Sequence, residues 1–412
     1  MHNISQKDKV ILLDLAKKIN EYSKRSIEEE KRKKWYAKNS LVKCDPIIFA
    51  DPDNSSVEHI KKSDLICEGE EARAIEWGFR YRIFRAEYIK DDVVIDNGFG
   101  VGHTNTFDWW GIESKRVYTE DTDRTAFKSE PALKTYADMS KMHFPKVTVD
   151  YEDTKRNIEF YKELFNGILE VELSNWWWWS LGITLHLSEL RGLEEMMFDM
   201  YDEPENLHKA LAYIRDGYFD LINYLEKNDL LTLNNRNHYI GSGAWGWTKE
   251  LPRKDFNGHV TTKDMWGLIE SQETVCVSPN LFEEYIFPYQ KQVAEKFGLV
   301  CYGCCEAIDK RFHIINKIPN LRRVSVSPWS DVEIMAEYLG DKYVYSWKPN
   351  PAYLAGEAFD EDFIRGYIRK TLEVTKNNHL EIILKDCNTV RGDITRIPHF
   401  VQIAREEISK LY

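Results

Sequence analysis

Two adjacent cysteines, Cys304 and Cys305, followed at once by Glu306, are the residues of this 412-residue sequence best suited to chemistry. A thiolate is a strong nucleophile and a soft metal ligand. Cys387 stands between Asp386 and Asn388, at the end of an apolar run near the C-terminus. Zinc held by such thiolates would lower the pKa of a bound thiol or water and act as a Lewis acid. Neighbouring side chains at a strand end diverge, so the expected ligands are one of Cys304 and Cys305 together with Cys387, with Glu306 or Glu273 as the third. The alternative is that these thiols are buried small hydrophobes. Seven cysteines are an odd number in a chain large enough to need no disulfides, so most should be free. Cys301 and Cys276 sit in apolar runs and read as core, while Cys44 and Cys67 lack partner spacing and read as structural.

Three further stretches carry polar groups. In WGLIESQET (266–274), Gln272 could hydrogen-bond a substrate and Glu273 could act as acid, base or ligand, since paired carboxylates push one pKa up. Glu306 joins Glu273 as a catalytic candidate. The same segment also reads as a solvated helix start. LTLNNRNHY (231–239) is a dense polar loop in which Asn235 would contact substrate and His238 would serve as general acid or base, or simply as a hydrogen-bonding residue. GFGVGH (98–103) after VVID (93–96) suggests a nucleotide loop, but TNTFDWWG (104–111) is not the amphipathic helix such a loop requires. It is therefore expected to be a loop at the site, with His103 and Asn105 facing the pocket. The run Trp176 to Trp179, Trp178 included, could line a pocket for a flat ligand or pack in the core.

The elements that must position these groups are clearest in the last third. Strand-like runs at 298–302, 323–327, 343–347 and 380–384 alternate with helical segments near 308–317, 331–339, 361–376 and 395–410. Strands so spaced pair in parallel through right-handed crossovers, and four such units are half a (β/α)8 TIM barrel. Active sites of barrels lie at the C-terminal strand ends. That rule selects Cys304 to Glu306, Ser327 to Asp331, Lys348 to Asn350 and Asp386 to Asn388, with Lys348 as a substrate-binding residue. Upstream, residues 5–40 carry Ile11, Leu12, Leu15 and Ile19 at helical spacing, predicting an N-terminal helical extension (1–43) before a barrel (44–412). The basic run Lys31 to Lys34 is expected on a solvated face, and the methionine stripe within 182–225 in the core.

Composition narrows the partners. Acidic side chains outnumber basic ones 68 to 56, for a net charge of −12, which disfavours nucleic acid and anionic membrane surfaces and favours a small-molecule substrate. There is no long apolar run and the start MHNISQKDKV lacks signal-peptide order, so a cytoplasmic location is expected.

Two segments carry a family resemblance. RGLEEMMFDMYDEPENLH (191–208) is similar to the helix, Asp/Pro turn and helix of uroporphyrinogen-decarboxylase-like proteins, and VSPNLFEEYIFPY (277–289) resembles another segment of theirs. The resemblance runs from about residue 44 to the C-terminus. It implies a (β/α)8 barrel and fixes fold better than reaction. The decarboxylase branch uses an arginine-rich segment where this chain reads WYAKNSLVK (35–43). The methyltransferase branch binds zinc through His-x-Cys at one strand end and Cys at the last. Here YGCCE (302–306) and Cys387 occupy those places, with another residue type at the histidine position. The resemblance therefore implies a methyltransferase acting on a small O-, N- or S-methyl compound. The methyl group would pass to or from a corrinoid on a separate partner protein, because this chain has no cobalamin-binding Asp-x-His-x-x-Gly pattern. A homodimer is a further expectation. A lyase decarboxylating a small organic acid, or a non-catalytic ligand-binding barrel, are the other readings.

Overall fold

A computed structural model describes residues 2–118 and 127–412. Its central feature is a six-stranded sheet in which every pairing is parallel. Eight strands concern us: β1 (Ile47–Ala50), β2 (Gly98–Val101), β3 (Glu170–Leu173), β4 (Trp266–Ile269), β5 (Leu299–Tyr302), β6 (Leu321–Val326), β7 (Val344–Trp347) and β8 (His379–Leu384). The sheet runs β1-β8-β7-β6-β5-β4, and β2 and β3 form a separate parallel pair. The strands β1, β4, β5, β7 and β8 are buried along their whole length, as expected where helices cover a parallel sheet.

The four βα units anticipated in the last third are present. Helices Phe312–Ile315, Val332–Leu339, Glu361–Val374 and Arg396–Leu411 follow β5 to β8 in turn. Asp331 and Asp360 cap two of them by accepting from backbone N–H groups of the first turn. The result is a mixed α/β architecture. Among the described residues no ladder joins β1 to β2 or β3 to β4. Single backbone bonds cross those seams, Asp92 N–H to the Ile48 carbonyl at 2.8 Å and Leu181 N–H to the Leu268 carbonyl at 3.3 Å.

Three local expectations are corrected. The glycine stretch is not a loop, because Gly98–Val101 is itself strand β2, and Val93 to Asp96 runs without ladder partners. The narrow approach to β3 explains the choice of residue, since a Cβ on Gly100 would lie 3.0 Å from Ser174 Cβ. Lys31, expected in solvent, is 7% exposed and donates to the Val93 carbonyl at 3.0 Å beside Glu28. Cys276, expected in the core, is exposed where the chain turns into the helix at Pro279.

The N-terminal helices Gln6–Ser23 and Ser26–Asn39 pack on the rest of the fold. Trp35 donates to the Asp92 carbonyl at 2.8 Å, and the Asn39 amide donates to the carbonyls of Trp245 and Trp247. The methionine stripe is core at Met196 and Met200. No helix among the described residues is long and apolar enough to cross a membrane.

Candidate functional site

The C-terminal ends of β1, β4, β5 and β8 enclose a cavity of about 280 Å³ whose wall includes Cys304, Cys305, Lys385, Asp386, Asp53 and Gln272. Each side chain arrives by a short connection. Gly303 follows β5 at a φ of +92°, a left-handed turn open to glycine, and brings Cys304 to the cavity. Lys385 and Asp386 directly follow β8, and Asp51 and Asp53 directly follow β1. Three non-glycine residues of this wall, Asp53, Ser242 and Asp386, also have positive φ, at 45°, 49° and 60°. Such conformations cost of order 1–3 kcal/mol each and gather at functional sites.

The two sulfurs lie 3.5 Å apart. The hydrogen bond from the Cys305 thiol lowers the Cys304 thiol to about 7, and the Lys385 ammonium assists against the opposing effect of burial. The same hydrogen bond, with burial, raises the Cys305 thiol. Cys304 is therefore the thiolate of the pair and Cys305 its proton-bearing donor. Lys385 donates to Asp386 Oδ2 at 2.5 Å and lies 3.8 Å from Cys305 Sγ. Burial works against its charge, but Cys304 and Asp386 hold it protonated. Asp53 accepts from Asp386 N–H at 2.5 Å, and burial together with the Asp51 carboxylate pushes it up to about 6.

Behind Cys304 lies a group of three carboxyls. Glu306 is buried and accepts from Cys304 N–H at 2.8 Å and from Ser271 N–H at 2.9 Å, fixing the cysteine's backbone. Burial raises Glu273, which accepts from Thr184 Oγ1 at 2.8 Å. Burial, then Glu273 and Glu306, raise Glu270 well above the ordinary carboxylate range. Gly182 admits this residue, since a Cβ there would stand 2.2 Å from the Glu270 carbonyl. Gln290 clamps the two segments, donating to the Gly182 and Glu270 carbonyls at 2.6 and 2.8 Å. Glu270, the most strongly raised of the group, is the carboxyl best suited to hold a proton and donate it.

A second cavity, about 330 Å³, shares Trp179 and Tyr239 with the first and is lined by Trp176 to Trp178, His238 and Trp266. Burial lowers His238, leaving a neutral ring. A larger recess of about 800 Å³, between Phe107 to Ser114 and His186, lies apart from the cysteines.

The structure thus brings Cys304, Cys305 and Gln272 to one cavity and sets Glu273 and Glu306 behind it, while His238 and Trp178 line the neighbouring one. It places the remaining candidates elsewhere. Asn235 donates its amide to the Leu251 carbonyl at 2.6 Å and lines neither cavity. His103 stacks on Trp177, with a ring pKa lowered by burial. Lys348 is buried beneath the site, donating to Ser346 Oγ at 2.5 Å, and burial lowers it to about 8. Cys387 is buried outside the cavity wall, its thiol raised by burial and by Asp53 and Asp51. Among the described residues no three His, Cys, Asp or Glu side chains form a group that could hold a metal ion. The ammonium of Lys385 stands beside the sulfurs where a zinc ion would need further ligands. The residues do not fit the zinc set.

Asp386 is among the strand-end residues selected from sequence, whereas Lys385, Asp51, Asp53 and Glu270 are wall or neighbouring groups that sequence reasoning left unassigned. The strand-end rule finds them once it is applied to β1 and β4 and to the first residues after β8. If Lys385 favours the thiolate as described, Lys385→Met should slow alkylation of Cys304 by iodoacetamide at pH 7 roughly three- to tenfold, read by peptide mapping. An unchanged rate would remove Lys385 from the site.

No family model matches the sequence, and no curated protein matches it. Among solved structures, a methyltransferase from Methanosarcina mazei is similar, with a TM-score of 0.48 and 9% identity over 93% of this chain and 99% of that chain.

Proposed function

We propose that this chain is a methyltransferase of (β/α)8-barrel type, in which the Cys304 thiolate takes a methyl group from a small donor. The observation that carries the reading is the unequal thiol pair: Cys304 lowered to about 7 on the wall of a small cavity, with Cys305 and Lys385 beside it. A thiolate so placed is a nucleophile at neutral pH and, when methylated, a better leaving group than an ordinary thiolate. In the first half-reaction the sulfur attacks the methyl carbon, a C–S bond forms, and the donor's bond to that carbon breaks with its electron pair staying on the donor atom. Where that atom leaves as an alkoxide, Glu273 or Glu270 supplies the proton.

A corrinoid presented by a partner protein would supply the acceptor of the second half-reaction. Support for such a partner comes from Trp176 and Trp329, 61% and 70% exposed on the connections after β3 and β6, which offer apolar surface at this end of the strands. The lyase reading is weaker here. A small organic acid would meet three carboxylates, Asp51, Asp53 and Asp386, and a single ammonium already engaged by Asp386.

The test is the mass of the protein after incubation with O-, N- and S-methyl donors. One added methyl group per chain, mapped to Cys304 and removed by a reduced corrinoid, is the expected result. Donor turnover with Cys304 unmodified throughout would reject the covalent step.

A further inference from the structure

The cavity at the cysteines is walled by three aromatic rings as well as by charge. Phe49, Trp179 and Tyr239 line it together with Asp51, Asp53 and Asp386. The carboxylates are not equally engaged. Asp51 accepts from Tyr81 Oη at 2.5 Å and lies 3.7 Å from the Arg85 guanidinium. Asp386 holds Lys385. The Asp53 carboxylate accepts from the Asp386 backbone N–H, and among the described residues no cationic side chain reaches ion-pair distance from it. Ser242 adds an independent sign of an absent occupant. It lines the same cavity at 5% exposure, beside the Cys304 sulfur, and its hydroxyl meets no partner at hydrogen-bonding geometry.

A carboxylate without a cationic partner, in a cavity that also has aromatic walls, is suited to one kind of guest. A methylated ammonium spreads its charge over methyl groups, has few or no N–H bonds to lose, and is attracted by ring faces as well as by a counter-ion. We propose that this cavity binds a quaternary ammonium group, with Asp53 as its counter-ion and Trp179 and Tyr239 as its walls, so that the methyl donor is a quaternary amine. The inference rests on the methyl-transfer reading and gives it a substrate class. The chemistry balances without a proton: the thiolate sulfur bonds to a methyl carbon, the C–N electron pair returns to nitrogen, and thiolate and ammonium become a neutral thioether and a neutral tertiary amine. A neutral methyl ether would leave Asp53 uncompensated, and a carboxylic acid would be repelled.

Choline and its uncharged isostere 3,3-dimethylbutan-1-ol differ at the position the proposal concerns. Titration calorimetry on the intact protein should find choline bound roughly tenfold more tightly or better. Asp53→Asn should abolish that preference, and Trp179→Leu should weaken choline more than the alcohol, with circular dichroism reporting that both variants fold. Equal binding of the two probes, or an unchanged preference in Asp53→Asn, overturns the inference. Methyl uptake by Cys304 from neutral ethers alone would overturn it and leave the transferase reading standing. Choline preference with no methyl uptake from any donor would support the cation site and sink the transferase reading instead.

Discussion

Cys304→Ser should leave less than roughly 1% of methyl uptake, because a serine hydroxyl stays protonated at pH values where a lowered thiol is half ionised. The variant keeps the size of the side chain, and the bond from the residue's N–H to Glu306 is a backbone bond, so the fold should persist. The pH profile of the unsubstituted protein is the sharper measurement. Since the Cys304 thiol is lowered to about 7, its alkylation should rise with pH, reach half its plateau near pH 7, and fall roughly tenfold for each pH unit below that. Cys305, whose thiol is raised by its hydrogen bond to Cys304, should remain unlabelled over this range until Cys304 has been modified. Half-maximal labelling near pH 9, or first labelling at Cys305, would reverse the assignment of nucleophile and donor.

The second large effect concerns stability. Beneath the site, Arg323 of β6 and Glu381 of β8 form a buried pair, with Nε to Oε1 at 2.8 Å and Nη2 to Oε2 at 3.0 Å. The guanidinium also donates to Asn39 Oδ1 at 2.6 Å and faces the Trp266 ring, tying the second N-terminal helix to the sheet. Glu381→Ala should cost about 3–5 kcal/mol in denaturant unfolding, since it strands a buried cation among low-dielectric surroundings. Lys348, whose charge Glu381 also favours, would be further discouraged from ionising. The double replacement Arg323→Met with Glu381→Leu should lie much closer to the unsubstituted protein, because it removes both charges and keeps volume. A single variant as stable as the parent would show that water reaches this pair.

Why some of this was legible from residues alone can be traced through particular elements. The strands β5 to β8 are short apolar runs with helices between them, and their period gives both type and order. β2 was hidden because its glycines mimic a loop; only the closeness of Ser174 on the neighbouring chain segment explains them. The burial of Lys31 depends on Glu28 and the Val93 carbonyl, one of them distant in sequence, and helical periodicity cannot register either. Cys304 and Cys305 were found by type and by strand end. Cys387 obeys the same rule yet does not reach the cavity, since Asp386 adopts φ of +60° and the chain turns as it leaves β8. The carboxylates after β1 follow a four-residue strand that stands outside the regular strand-and-helix alternation of the last third, which is what singles out strand ends in the sequence.

The two seams in the sheet bear on heat resistance. The aromatic cavity lies across one of them, between Ser174 to Trp179 after β3 and Trp266 and Leu268 of β4, where a single backbone bond stands in place of a ladder. A ligand seated there would touch both sheet pieces and do with side-chain contacts what hydrogen bonds do between the other strands. With such a ligand the melting temperature would rise with the logarithm of its concentration once that exceeds the dissociation constant.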